Sequence, residues 1–151
     1  MTGRAVYLDA SAIVKLVLSE TGSQELTEYL LGRAPSVTCR ISTTEVSRAV
    51  RRQSLDAAAS VEAVLATMTV VEVSPDLART AGRLQPAELR SLDAIHVATA
   101  LMVAGDIDAV VTYDLRLAAA ARLVGLQVES PGIDIGPNPA RRGHPSATAA
   151  S

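Results

Sequence analysis

Short apolar runs alternate with amphipathic stretches along the chain from residue 4 to about residue 128. Arg4 to Leu8 reads as a first strand, and Ala10 to Leu18 as a helix so apolar that it must be buried. Helical spacing returns over Ser23 to Leu31, Ser36 to Cys39 makes a short strand, and Ser42 opens a helix reaching about Gln53. Asp56 to Thr67 predicts another helix, Thr69 to Val73 a β-branched strand, and Pro75 starts a short helix that fades near Arg83. Leu92 to Val103 is helical, Ala109 to Thr112 a strand, Leu115 to Val124 an alanine-rich helix stopped by Gly125, and Leu126 to Val128 an edge strand. Strands separated by helices predict an α/β fold, a mainly parallel sheet covered on both faces.

The pattern stops at Ser130. Beyond it, Pro131, Gly132, Gly136, Pro137, Pro139, Gly143 and Pro145 crowd a stretch whose large apolar residues are Ile133 and Ile135. This predicts one domain over residues 1–130 and a disordered tail over 131–151. A chain of 151 residues suits a single domain that buries roughly 70% of its unfolded surface, so it needs neither metal nor disulfide merely to fold.

Composition narrows the function. Hydrophobic residues make up 48% of the chain and aromatic ones 2%, with no Phe or Trp, so the core is packed from Ala, Val, Leu and Ile. Any stacking on nucleic-acid bases falls to three Tyr residues or to Arg. The single cysteine, Cys39, excludes an internal disulfide and fits a reducing compartment. No signal-peptide layout and no run of membrane-spanning length is seen, so a cytoplasmic location without a membrane partner is expected. A net charge of −2 excludes a generally adhesive nucleic-acid binder, and any such contact must be local.

Four acids stand where an apolar segment gives way to a helix: Asp9 after Val6-Tyr7-Leu8, Glu45 after Ser42-Thr43-Thr44, Asp93 in Ser91-Leu92-Asp93, and Asp114 after Val110-Val111-Thr112-Tyr113. Each has a structural reading. Asp9 and Asp114 suit helix N-caps, Ser42 and Glu45 match a capping box, and Asp93 suits a first-turn acid behind a Ser91 cap. The set asks for more, because the flanking strands are apolar enough to be central, and carboxylates emerging together at their carboxyl ends repel. A hard divalent cation with oxygen ligands, Mg²⁺ or Mn²⁺, resolves that repulsion.

In order and spacing, Leu8-Asp9-Ala10-Ser11, Ser42-Thr43-Thr44-Glu45-Val46, Leu92-Asp93-Ala94-Ile95-His96-Val97-Ala98-Thr99-Ala100 and Val111-Thr112-Tyr113-Asp114-Leu115-Arg116-Leu117 resemble a PIN domain, more narrowly a VapC-type toxin. The resemblance covers about residues 4 to 130. It implies a three-layer α/β/α fold and an endoribonuclease dependent on one or two Mg²⁺ or Mn²⁺ ions. It also implies a homodimer acting on RNA and held inactive by a cognate antitoxin. By residue match Asp9, Glu45, Asp93 and Asp114 are the acidic quartet that binds metal, and Ser11 and Thr112 are hydroxyls beside it. Tyr113 departs from the small or polar residue of many relatives. A PIN-like module that binds RNA or protein without cutting, and a DNA-cleaving nuclease of the same chemistry, are the alternatives.

Other residues are read on their own spacing. His96 shares a helix face with Asp93 and reads as a hydrogen-bonded core residue, while Lys15 is expected to snorkel outward from its apolar helix. Arg48 and Arg52 share a face with Glu45 and either line an RNA path or form a solvated face with Arg48 paired to Glu45. Arg116, two residues beyond Asp114, is a candidate phosphate contact. Lys15 is the sole lysine, which disfavours a phosphoacceptor signalling domain, and no Gly-x-Ser-x-Gly, Walker loop or zinc-type Cys/His spacing occurs.

Overall fold

The computed structural model describes residues 3–138. Five strands, β1 (Ala5–Leu8), β2 (Val37–Cys39), β3 (Thr69–Val71), β4 (Ile107–Val111) and β5 (Val128–Glu129), form one sheet in the order β3-β2-β1-β4-β5. Every pairing is parallel. Seven helices connect and cover the strands: α1 (Ala10–Val17), α2 (Ser23–Leu30), α3 (Ile41–Gln53), α4 (Ala58–Leu65), α5 (Pro75–Gly82), α6 (Ser91–Met102) and α7 (Leu115–Leu123).

Alternation along the strands sets the two covered faces. Val6 and Leu8 of β1, with Ala109 and Val111 of β4, pack with α1 to α4 through Ile13, Leu26, Val46, Val50, Val61 and Leu65. Ala5 and Tyr7, with Ile107 and Val110, face the opposite side and pack with Ala100 of α6 and Ala118 and Ala121 of α7. The β1–β4 register shifts between Ala5 and Tyr7, which explains why β4 does not keep strict alternation on the second face. The result is the expected three-layer α/β/α arrangement. Helix α5 closes it by packing Leu77 and Ala81 on Ala94 and Ala98 of α6.

This topology fixes where chemistry can occur. From β1 the chain moves outward through β2 to β3, then returns to β4 on the other side of β1, so the order reverses between β1 and β4. In an open parallel sheet a crevice opens at that reversal, outside the carboxyl ends of the two strands.

Local details differ from the sequence reading at several points. Helix α3 starts at Ile41 behind Arg40, so Ser42 does not cap it. The Ser42 hydroxyl is buried against Thr38 Oγ1 at 2.8 Å, and Glu45 turns elsewhere, which dissolves the capping box. Helix α6 begins at Ser91 with Arg90 in the cap position, so Ser91 is not the cap of Asp93. Lys15 does not snorkel. It is 9% exposed, pairs with Glu20 at 3.4 Å and lies 4.6 Å from the Tyr113 ring centre, a cation–π contact that holds the ammonium inward.

Residues 131–138, where the sequence places the start of a tail, lie against the domain. Tyr113 donates its hydroxyl to the Pro131 carbonyl at 2.8 Å, Arg122 donates to the Ile135 and Gly136 carbonyls, and Asn138 Oδ1 accepts from Val128 N. Ile135 also packs on the α6–α7 side of the core. The rest of the expected tail, residues 139–151, lies outside the described residues.

Candidate active site

Asp9 follows directly on β1, at the carboxyl end of the central strand. It is the N-cap of α1, and its Oδ1 accepts from Ala12 N at 3.0 Å and from the Ser11 hydroxyl at 2.7 Å. Its Oδ2 accepts from the Thr112 hydroxyl at 2.6 Å. The capping role and the site role therefore coincide in one side chain, each using different lone pairs. Asp9 is 4% exposed, and burial raises its carboxyl above the ordinary value against the opposing pull of Thr112 and Ser11.

The end of β4 supplies the second arm. Thr112 Oγ1 accepts from Asp114 N at 3.1 Å, and the Ser11 hydroxyl oxygen accepts from Tyr113 N at 2.9 Å, so the two strand ends are stitched together by hydroxyls. Asp114 is an exposed N-cap of α7, with Oδ1 accepting from Arg116 N at 2.8 Å. Tyr113 bridges this loop to the segment after β5. Burial, then Glu25, pushes its hydroxyl up to about 12.

Asp93 lies in the first turn of α6, half-buried. Burial raises its carboxyl, and the next largest cause is the negative charge of Asp114; Glu45 adds to it, while His96 and Arg90 oppose. Glu45 lies one turn into α3. Its Oε1 meets His96 Nε2 at 2.7 Å, and His96 Nδ1 meets the Tyr7 hydroxyl at 2.6 Å. Burial holds the Tyr7 hydroxyl proton well above its ordinary value. The core reading of His96 holds, for it is 3% exposed and bonded at both nitrogens. Glu45 is paired with His96 and not with Arg48, and Arg48 and Arg52 stand exposed on α3.

Asp93 thus feels the charges of Asp114 and Glu45 across the crevice. Among the described residues, however, no three acidic, histidine or cysteine side chains are gathered tightly enough to clasp an ion as they stand. The donor chemistry fits a hard divalent cation: every candidate ligand is an oxygen, and among the described residues Asp9, Asp93 and Asp114 have no Lys or Arg partner within ion-pair distance. Asp9 is fixed by its three donors, Asp93 is half-buried in the first turn of α6, and Asp114 is exposed with its Oδ1 engaged in capping α7.

A groove of about 400 Å³ opens beside Asp93, lined by Leu89, Arg90, Arg116, Ala120 and Leu123 among others. Arg90 was not singled out by sequence reasoning. Its place three residues before Asp93, at the mouth of α6, was the available signal. Tyr7 was missed as well, although strand alternation puts it on the face that α6 covers.

Comparison with known proteins agrees with this architecture. The model of the PIN domain family matches residues 6–123. Ribonuclease VapC46 of Mycobacterium tuberculosis is 40% identical over 127 residues, spanning 84% of this chain and 98% of its own length. Ribonuclease VapC35 of the same species is 39% identical over 132 residues, spanning 84% and 97%. Among solved structures, the sarcin-ricin-loop-cleaving toxin VapC20 of M. tuberculosis superposes with a TM-score of 0.65 at 19% identity, over 84% of this chain and all of its own. A toxin–antitoxin complex from Klebsiella pneumoniae gives 0.61 at 20% identity, over 76% and 91%. The sheet order, the acids at the strand-order reversal and the match over most of the chain agree that this protein belongs to the PIN domain family.

Proposed function

We propose that the protein is a divalent-metal-dependent endoribonuclease, the toxin of a toxin–antitoxin pair, which hydrolyses RNA phosphodiester bonds at the acids around Asp9. The observation that carries this reading is Asp9 itself. It is a buried carboxylate at the end of the central strand, without an Arg or Lys partner among the described residues, and at the start of α6 burial and the charges of Asp114 and Glu45 raise the carboxyl of Asp93. The relatives named ribonucleases and the toxins among the structural neighbours support the substrate class.

Asp9, Asp93 and Asp114, with Glu45 directly or through water, would hold one or two Mg²⁺ or Mn²⁺ ions. Such an ion neutralises nonbridging phosphate oxygens and lowers the pKa of water toward neutrality. The chain's own residues prepare the place. Ser11 and Thr112 lock Asp9 in one rotamer, and Thr112 links it to the backbone of Asp114. Arg116 and Arg90 bring guanidinium donors to the groove beside Asp93, suited to bidentate contact with phosphate, and Arg48 extends the path along α3 from Glu45.

A protein antitoxin, a homodimeric assembly and a cytoplasmic setting complete the proposal. No helix among the described residues is long and apolar enough to cross a membrane. The deciding experiment incubates purified protein with structured RNA in Mg²⁺, in Mn²⁺ and in chelator. Internal cuts that require metal and vanish in Asp9→Asn are expected. Cutting that persists in chelator, RNA binding without turnover, or equal cutting of DNA would each refute it in a different way.

A further inference from the structure

We propose that His96 and Tyr7 are positioning residues of the candidate nuclease centre, joined in a buried relay that delivers one hydrogen-bond donor to Glu45 and fixes that carboxylate toward the crevice. The inference rests on the nuclease reading for its purpose, but its geometry stands apart from it.

The relay has two links of 2.6 and 2.7 Å, Tyr7 Oη to His96 Nδ1 and His96 Nε2 to Glu45 Oε1. Tyr7 is wholly buried and His96 is 3% exposed, so water cannot stand in for either partner. With Glu45 as the acceptor, Nε2 is the donor of that bond and Nδ1 accepts from the Tyr7 hydroxyl, and this is the tautomer on which the relay depends. The two rings also meet edge to face, 5.8 Å between centres and 74° between planes, which limits how the imidazole can turn.

The elements explain why the relay points where it does. Tyr7 sits in the central strand, one residue from the end of β1, on the face covered by α6. His96 lies one turn after Asp93 on that helix, and Glu45 lies on α3, which comes after the neighbouring strand β2. A core strand is thereby tied to a half-buried acid at the crevice. Glu is a long side chain whose ordering costs up to about 2 kcal/mol of rotamer freedom. The bond to His96 takes that loss on folding instead of on binding, and among the described residues Glu45 Oε2 keeps no protein partner, so it is left for ligand or water.

Two measurements test this. In metal-free wild-type protein, a long-range ¹H–¹⁵N spectrum reads which nitrogen of His96 is protonated; the proton is expected on Nε2, and a ring protonated on Nδ1 alone overturns the proposal whether or not the chain is a nuclease. The second compares H96Q with H96N, with Y7F as a milder variant that removes one hydroxyl. Glutamine places an amide donor where Nε2 stood and keeps the bond to Glu45, whereas asparagine reaches toward Tyr7 and falls short of Glu45. Loss of such an outer partner costs about 10–100-fold in metal affinity or activity. H96N is therefore expected to lose that much in Mn²⁺ affinity and in kcat with KM little changed, and H96Q much less at similar melting temperature. A purely structural histidine predicts that both fall together with stability, and that result overturns the proposal.

Discussion

Thr112 Oγ1 donates to Asp9 Oδ2 at 2.6 Å, joining residues 103 positions apart in the chain. The bond exists because β1 and β4 are adjacent and parallel and end at the same edge, Leu8 opposite Val111. The next residue of each strand then meets its counterpart across the crevice.

Breaking that bond should be costly. Thr112→Val keeps the shape but leaves a buried carboxylate oxygen without its donor, a loss of about 1–3 kcal/mol. Chemical denaturation of T112V and T112S measures it, with T112S expected near wild type. A T112V chain as stable as wild type would show that Asp9 finds another donor.

Stability should also depend on pH in a definite direction. Asp9 and Asp93 both have carboxyls raised in the folded protein, so the fold favours their protonated forms. Their contribution is fully present below the ordinary value of 3.8 and is lost as pH rises through the raised values. In chelator, the stability of wild type relative to Asp9→Asn/Asp93→Asn should therefore fall as pH rises from about 4 toward neutrality. A difference independent of pH, read from urea midpoints, contradicts it.

Truncation separates the packed segment from the residues beyond Asn138. Ending the chain after Ser130 removes the acceptors of Tyr113 and Arg122, the Asn138 bond and the packing of Ile135. At about 1 kcal/mol for each hydrogen bond, a loss of several degrees in Tm is expected. Ending it after Asn138 should leave Tm within about a degree or two of the full chain, since residues 139–151 carry no large apolar residue. Calorimetry on both truncations decides.

The strands and helices were legible because their periodicity is strong and Gly125, at φ 84°, ends α7 as its composition predicts. Asp9 stood out because it comes straight after β1, and Asp114 because it follows the end of β4 by three residues, at the start of α7. The features that escaped depend on partners distant in the chain. Ser42-x-x-Glu45 is a capping box by local spacing, yet Thr38 claims the hydroxyl and His96, 51 residues away, claims the carboxylate. Lys15 turns inward for the same reason, since Tyr113 and Glu20 reach it only once the fold is assembled. Tyr7 reads as ordinary strand filler until α6 sets His96 against it.

The central claim is that these carboxylates form one divalent-cation site, and thermal melting tests it without any knowledge of the RNA. A cation that binds only the folded state stabilises it by mass action, about 2.7 kcal/mol at a hundred times its dissociation constant. Melting curves of wild type and Asp9→Asn/Asp93→Asn, in chelator and in millimolar Mn²⁺ at constant ionic strength, should show a metal-dependent rise in Tm for wild type and none for the variant. A wild-type Tm that does not move with Mn²⁺ would contradict the metal site.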